Sequence, residues 1–420
     1  MAEPRSTYVY VHLGGVFVPA GRLTVHADRA NEHALFRYGT RYLQRPDRLE
    51  LDPVSLRFPS GSDRVLRTEA GFPLFGAIRD AAPDGWGRHV LDRAARGVPL
   101  SELDYLTAAG EDRIGALAFG PDLGGPRRVT PWTEPAELFG EALDLSGLLQ
   151  AADQVASAEE LDPRFATFIQ RGSSLGGARP KATTNWHGRP FIAKFARQDD
   201  RVSLCRLEHA TMLLARACGI TTPAVDRITV LGRDVYLIER FDREARSAAV
   251  VDRDAAGARR HFISALTLLG AHESESSRYA YSDIAAALRQ HGSRFAADAE
   301  ELYRRMVFNI LCNNTDDHLR NHGFLHDGHG YRLSPAYDLV PFPQIGRVRL
   351  LALGVGAQGR VASVDNALSR CASFGLSREA ALQLITQMQA VCRGWEAHYR
   401  ACDVPELDLQ RVATCFAALE

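Results

Sequence analysis

The chain has 420 residues, 45% of them hydrophobic and 24% charged, with a formal net charge of −1. This is the make-up of an ordinary soluble globular protein with enough length for two or three domains, and it carries no electrostatic footprint for direct nucleic-acid binding. No apolar run approaches the length of a membrane span. The seven cysteines include no C-x-x-C pair. They point to buried thiols in a reducing compartment, and the absence of a recognisable targeting segment points to the cytoplasm.

In chain order, residues 7–25 alternate in polarity around Gly14-Gly15 and predict a β-hairpin. Short strands are expected at 34–38 and 54–58. The stretch Leu74–Leu91 predicts two helices broken at Pro83-Asp84-Gly85. Breakers crowd residues 119–135, where we place a surface connector closing an N-terminal β-rich region, 1–125. A helix is expected over 136–157. Strands follow near 190–195, 225–231 and 235–239, with a helix at 203–218. Beyond about 245 the pattern is mostly helical, with apolar spacing at 302–311 and a continuous stripe over 378–399. A strand-rich half followed by a helical half is an α+β arrangement, with a cleft expected between the halves.

The most unusual feature is basic-residue usage. Only Lys181 and Lys194 are lysines, against 48 arginines. A lysine retained in such a background marks a place where a planar guanidinium does not substitute for a compact ammonium. Lys181 closes the small-residue loop Ser173-Ser-Leu-Gly-Gly-Ala-Arg-Pro-Lys, and Lys194 ends the apolar run Phe191-Ile-Ala-Lys. A glycine loop followed by a strand bearing a lysine is a way of holding nucleotide phosphates. The loop is not a Walker A motif, since Pro180 precedes Lys181 and Ala182 follows it, and the kinase pattern G-x-G-x-x-G is absent as well.

The densest polar cluster is Cys312-Asn-Asn-Thr-Asp316-Asp317-His318-Leu-Arg320-Asn321-His322-Gly323. Asp316 and Asn321 are five residues apart, the spacing of base and metal-binding amide in a kinase catalytic loop. Asp338 follows 22 residues after Asp316, and two strands joined by a short turn would return it to the same neighbourhood. A polar turn with capping carboxylates is the plainer reading of the cluster. Glu208 either pairs with the strand lysine or sits exposed in the first turn of its helix. Tyr236–Asp242 reads as a strand leading to a hinge, with Glu239 offering backbone groups to adenine and Phe241 lining its pocket, or as an edge strand ending in a solvated turn.

Together, Ser174–Lys181, Phe191–Lys194, Leu237–Arg243, Asn314–Asn321, Ala336–Leu339 and the Pro83-Asp84-Gly85-Trp86-Gly87 turn resemble the HipA family of serine/threonine kinase toxins. The resemblance implies a two-lobed, protein-kinase-like fold with an N-terminal β-rich extension, a kinase N-lobe-like region at 136–243 and a helical catalytic lobe at 244–420. It implies ATP and Mg2+ as cofactors. Asp316 becomes the catalytic base, Asn321 and Asp338 the magnesium ligands, and Lys194 the ATP lysine. Lys181, Gly176 and Gly177 form the phosphate loop, and Ser174 is the site of inhibitory autophosphorylation. It further implies an aminoacyl-tRNA synthetase as protein substrate, a small helix-turn-helix antitoxin as partner, and DNA contacted only through that antitoxin. Two other readings stand beside it: a silent kinase fold serving as partner of a DNA-bound repressor, and a small-molecule phosphotransferase.

Overall fold

Alternation in Thr7, Val9 and Val11 turns one face of the first strand into the core, where Val9 and Val11 are wholly buried. The computed structural model describes residues 4–28, 31–60, 65–132, 144–157, 166–244, 258–344, 346 and 348–419. These fall into two compact units. One comprises residues 1–197 with 230–232 and 242–263, and the other 198–229, 233–241 and 264–420. Both mix helices with antiparallel strands, an α+β composition.

The first unit is built on a five-stranded antiparallel sheet. Its strands are β1 (Arg5–Leu13), β2 (Val16–Asp28), β3 (Asn31–Tyr38), β4 (Leu66–Arg67) and β5 (Leu117–Gly120), in the order β4-β3-β2-β1-β5. The expected hairpin turns at Gly14 and Gly15, whose φ angles of 56° and 89° suit a two-residue turn matching strand twist. The expected strand at 54–58 does not form. The Asp52 carboxylate accepts from the amides of Val54 (2.9 Å), Leu56 (3.1 Å) and Ala77 (3.2 Å), so a side chain holds donors that a strand ladder would need.

The two helices around Pro83 are Gly76–Ala81 and Gly85–Ala95. A helix runs over Leu145–Ala156, capped by Asp144 through the Gly147 amide at 2.8 Å, and the expected residues 136–143 lie outside those described. The unit also contains the antiparallel hairpin β6 (Lys181–Trp186) and β7 (Arg189–Phe195).

The second unit centres on the helix Phe295–Leu311. Leu302, Tyr303, Met306, Val307, Phe308, Ile310 and Leu311 are all fully buried on it, an apolar surface on almost every side. Each such burial contributes about 1.5–3 kcal/mol. The stripe expected as one helix over 378–399 is two, Arg378–Cys392 and Trp395–Ala401, broken at Arg393-Gly394. The apolar spacing survives the break because both pieces bury the same side, with Met388, Cys392, Trp395 and Tyr399 inside. All seven cysteines are unbonded, six of them buried. Among the described residues no helix is long and apolar enough to cross a membrane.

Candidate active site

In the first unit the register of the β6–β7 hairpin sets Lys181 directly opposite Lys194. Directly paired residues share a sheet face with Cβ atoms about 4.5–5.5 Å apart, and like charges in that arrangement are destabilising. The only two lysines of the chain therefore occupy one cross-strand pair. The Lys181 ammonium donates to the Gly176 carbonyl at 2.6 Å, closing the preceding loop on itself. Gly177 has φ of 86°, and a Cβ there would sit 2.5 Å from Lys181 Nζ. The positive φ is what requires glycine there, since the lysine tip can move aside.

Neither loop serine is open to solvent. Ser173 is fully buried and its Oγ accepts from the Gly110 amide at 3.0 Å. Ser174 is 3% exposed, and its Oγ has no hydrogen-bond partner among the described residues.

In the second unit the helix Phe295–Leu311 ends in a left-handed cap. Asn313 takes φ of 52°, and the Asn314 amide donates back to the Asn309 carbonyl at 3.0 Å. This cap launches the polar loop. Asp316 is exposed, whereas Asp317 is fully buried, so the adjacent carboxylates diverge. Asn321 donates its Nδ2 to the Asp316 carbonyl at 2.7 Å, closing the five-residue span into a ring and turning Oδ1 away from that carbonyl.

The strands Gly323–His326 and Tyr331–Leu333 pair antiparallel and return the chain, as expected. Asp338 then takes φ of 55°, a left-handed conformation that Asp tolerates better than most residues. Its neighbours Tyr337 and Leu339 line the same small cavity as Asn321. Phe241 stacks on Tyr337 with centroids 5.6 Å apart, and the Tyr337 hydroxyl donates to the Arg320 carbonyl at 2.7 Å. The end of the strand Arg233–Glu239 and the polar loop are thus tied through two aromatic rings. Glu208 is buried in the second turn of the helix Leu204–Ala217, not exposed in its first.

Sequence reasoning missed the support beneath the loop. The Asp317 carboxylate accepts from the Tyr281 hydroxyl and from the Ala352 amide, both at 2.6 Å. Asn309 donates to Tyr281 Oη at 2.8 Å, and Asn314 donates to Asn309 Oδ1 at 3.1 Å. Burial pushes the Asp317 carboxyl up to about 6, against the lowering influence of those donors. Burial, aided by the Arg305 charge, holds His322 down to about 3, a neutral imidazole. Arg305 and Asn314 each hold a buried polar atom without a hydrogen-bond partner among the described residues, and both line a cavity the size of one water molecule, a lining suited to a bridging water. The only advance signal was a second acid beside Asp316.

The first unit has a comparable knot at the end of the expected hinge segment. The Gly115 amide donates to Asp242 at 2.7 Å, while Arg243 donates to Asp242 at 2.6 Å and to the Arg113 carbonyl at 2.6 Å. Arg113 is itself enclosed, and burial pulls its guanidinium down to about 9.

Comparison with known proteins gives this geometry a family. Residues 9–120 match the model of the HipA N-terminal domain, and residues 173–395 that of the HipA-like C-terminal domain. The chain belongs to the HipA family. Two putative kinases of Sinorhizobium fredii are 28% identical over 414 residues (94% of this chain, 92% of theirs) and 26% identical over 356 residues (79% and 77%). A putative kinase of Haemophilus influenzae is 28% identical over 204 residues, 44% of this chain, which spans 58% of that protein. The HipA of Shewanella oneidensis MR-1, solved in complex with HipB and operator DNA, shares the fold. The TM-score is 0.67 at 18% identity, over 98% of this chain and 95% of that one.

Proposed function

We propose that this protein is an ATP- and magnesium-dependent serine/threonine protein kinase with a two-lobed, kinase-like fold. The observation that carries the reading is the closed ring from Asp316 to Asn321, with one carboxylate exposed and the amide oriented by a backbone carbonyl. In this reading Asp316 orients a substrate hydroxyl and accepts its proton. Asn321 Oδ1 and the Asp338 carboxylate form an all-oxygen donor set that fits magnesium. Magnesium held by these two residues would neutralise phosphate charge. The ammonium groups of Lys181 and Lys194 hold nucleotide phosphates, with Gly176 and Gly177 shaping the loop, and Glu208 is a further nucleotide-site residue of this reading. Glu239 and Phe241 receive the adenine.

Ser174 is the autophosphorylation site in this reading. Its burial means that the hydroxyl becomes reachable only when the loop leaves the observed conformation. The relatives named as putative kinases and the solved HipA–HipB–operator DNA complex support a kinase with an antitoxin partner and DNA reached through that partner. The reading adds a cytoplasmic location and a translation component such as an aminoacyl-tRNA synthetase as substrate, both of which rest on the family resemblance alone.

Incubation with radiolabelled ATP and magnesium in a cell lysate tests the reading. Labelled protein is expected, and Asp316→Ala is expected to lower transfer by 10²-fold or more with the fold intact. Label confined to metabolites, or undiminished transfer by the variant, would overturn it.

A further inference from the structure

The Pro83-Asp84-Gly85-Trp86-Gly87 turn takes no part in the chemistry above, yet it is built against the 173–181 loop. The Asp84 carboxylate accepts from the Gly177 amide at 2.5 Å. The Trp86 amide donates to the Gly177 carbonyl at 2.7 Å, and Trp86 Nε1 donates to the Lys181 carbonyl at 3.0 Å. Both backbone groups of Gly177 are therefore taken by neighbouring residues of one turn.

The approach is too close for side chains. A Cβ on Gly85 would lie 2.7 Å from the Gly177 carbonyl oxygen, and one on Gly87 would lie 2.5 Å from that of Ser173 and 2.8 Å from that of Leu175. On the loop side, a Cβ on Gly176 would lie 2.9 Å from Asp84 Oδ1. Trp86 is 3% exposed and sets its ring edge-on to Phe168, so the turn is itself fixed by packing.

We propose that this turn is a positioning clamp: Asp84 and Trp86 hold the glycine loop in the shape that lets Lys181 and Lys194 receive nucleotide phosphates. The inference rests on the kinase reading for the identity of the ligand. An acid beside a phosphate-holding loop would otherwise oppose anion binding. Here its oxygen is committed to a loop amide, in a charge-assisted bond of the strong kind. The clamp acts through the loop, so it governs nucleotide affinity more than the rate of the chemical step.

The experiment uses the full chain and four variants: Asp84→Ala, Asp84→Asn, Trp86→Phe and Gly87→Ala. Hydrogen exchange of peptides covering 173–181 is read by mass spectrometry, and affinity for a magnesium-bound, non-hydrolysable ATP analogue by titration. Asp84→Ala is expected to speed exchange in the loop by roughly tenfold or more and to weaken the analogue by a similar factor. KM for ATP should rise while kcat changes less than about threefold. Asp84→Asn keeps an accepting oxygen and is expected to restore most of both. Trp86→Phe keeps the ring and loses one donor, giving a smaller effect in the same direction. Gly87→Ala is expected to act at least as strongly as Asp84→Ala, and if it fails to fold the two Asp84 variants decide.

Unchanged exchange in Asp84→Ala overturns the clamp. Faster exchange with unchanged affinity, or tighter binding once the acid is removed, overturns its role in phosphate binding. Wild-type protein that binds the analogue but transfers no phosphate refutes the kinase reading alone, because the exchange and affinity readouts still judge the clamp.

Discussion

Asp317 offers the most quantitative test of the buried network. Its carboxyl is raised from an ordinary value of 3.8 to about 6, chiefly by burial. The folded protein therefore keeps a proton that the unfolded chain has released between those pH values. Where the folded state binds more protons, stability rises as pH falls. The contribution of Asp317 thus grows as pH drops from about 7 through 6, and levels off below about 4. The full difference is worth about 3 kcal/mol, and by pH 5 roughly half of it is present.

Asp317→Asn removes the titration while keeping one oxygen for the Ala352 amide or the Tyr281 hydroxyl. Urea unfolding of both proteins at several pH values from 5 to 8 isolates the effect as a difference. Wild type should gain on the variant between pH 8 and pH 5, by roughly half of that difference. A flat difference would refute the reasoning. A difference of opposite sign would show that the Tyr281 and Ala352 donors outweigh burial and hold the carboxylate ionised.

Lys194→Arg keeps the charge but replaces a compact ammonium by a planar fork in a cross-strand pair. We expect KM for ATP to rise about tenfold or more in steady-state assays, and an unchanged KM would remove the case for a lysine-specific site. Asn313→Ala puts a residue with lower left-handed tolerance into φ of 52° and removes the hydrogen bond that the Asn313 side-chain amide donates to the Phe342 carbonyl. A loss of about 1–3 kcal/mol is expected in urea unfolding, with Asn313→Gly sparing the strain component.

Much of the architecture was legible because its signals are local. Alternation around Gly14-Gly15 gives a hairpin, and Pro83 breaks a helical pattern. The spacing from Asp316 to Asn321 likewise closes a ring within six residues. The misreadings arose where a side chain or a break in the chain overrode the polarity pattern. Residues 54–58 looked like a strand until the Asp52 carboxylate took their amides, one of its bonds reaching Ala77. The 378–399 stripe looked continuous because packing preserves a buried side across the Gly394 break. No local signal states which of two adjacent acids points inward. Asp317 does so because Tyr281 and Ala352, each more than thirty residues away, supply its donors. The two lysines were conspicuous from composition alone, but their direct opposition is a matter of register. A one-residue slip of the hairpin would have put them on opposite faces of the sheet, and only the folded pairing of Lys181–Trp186 with Arg189–Phe195 decides it.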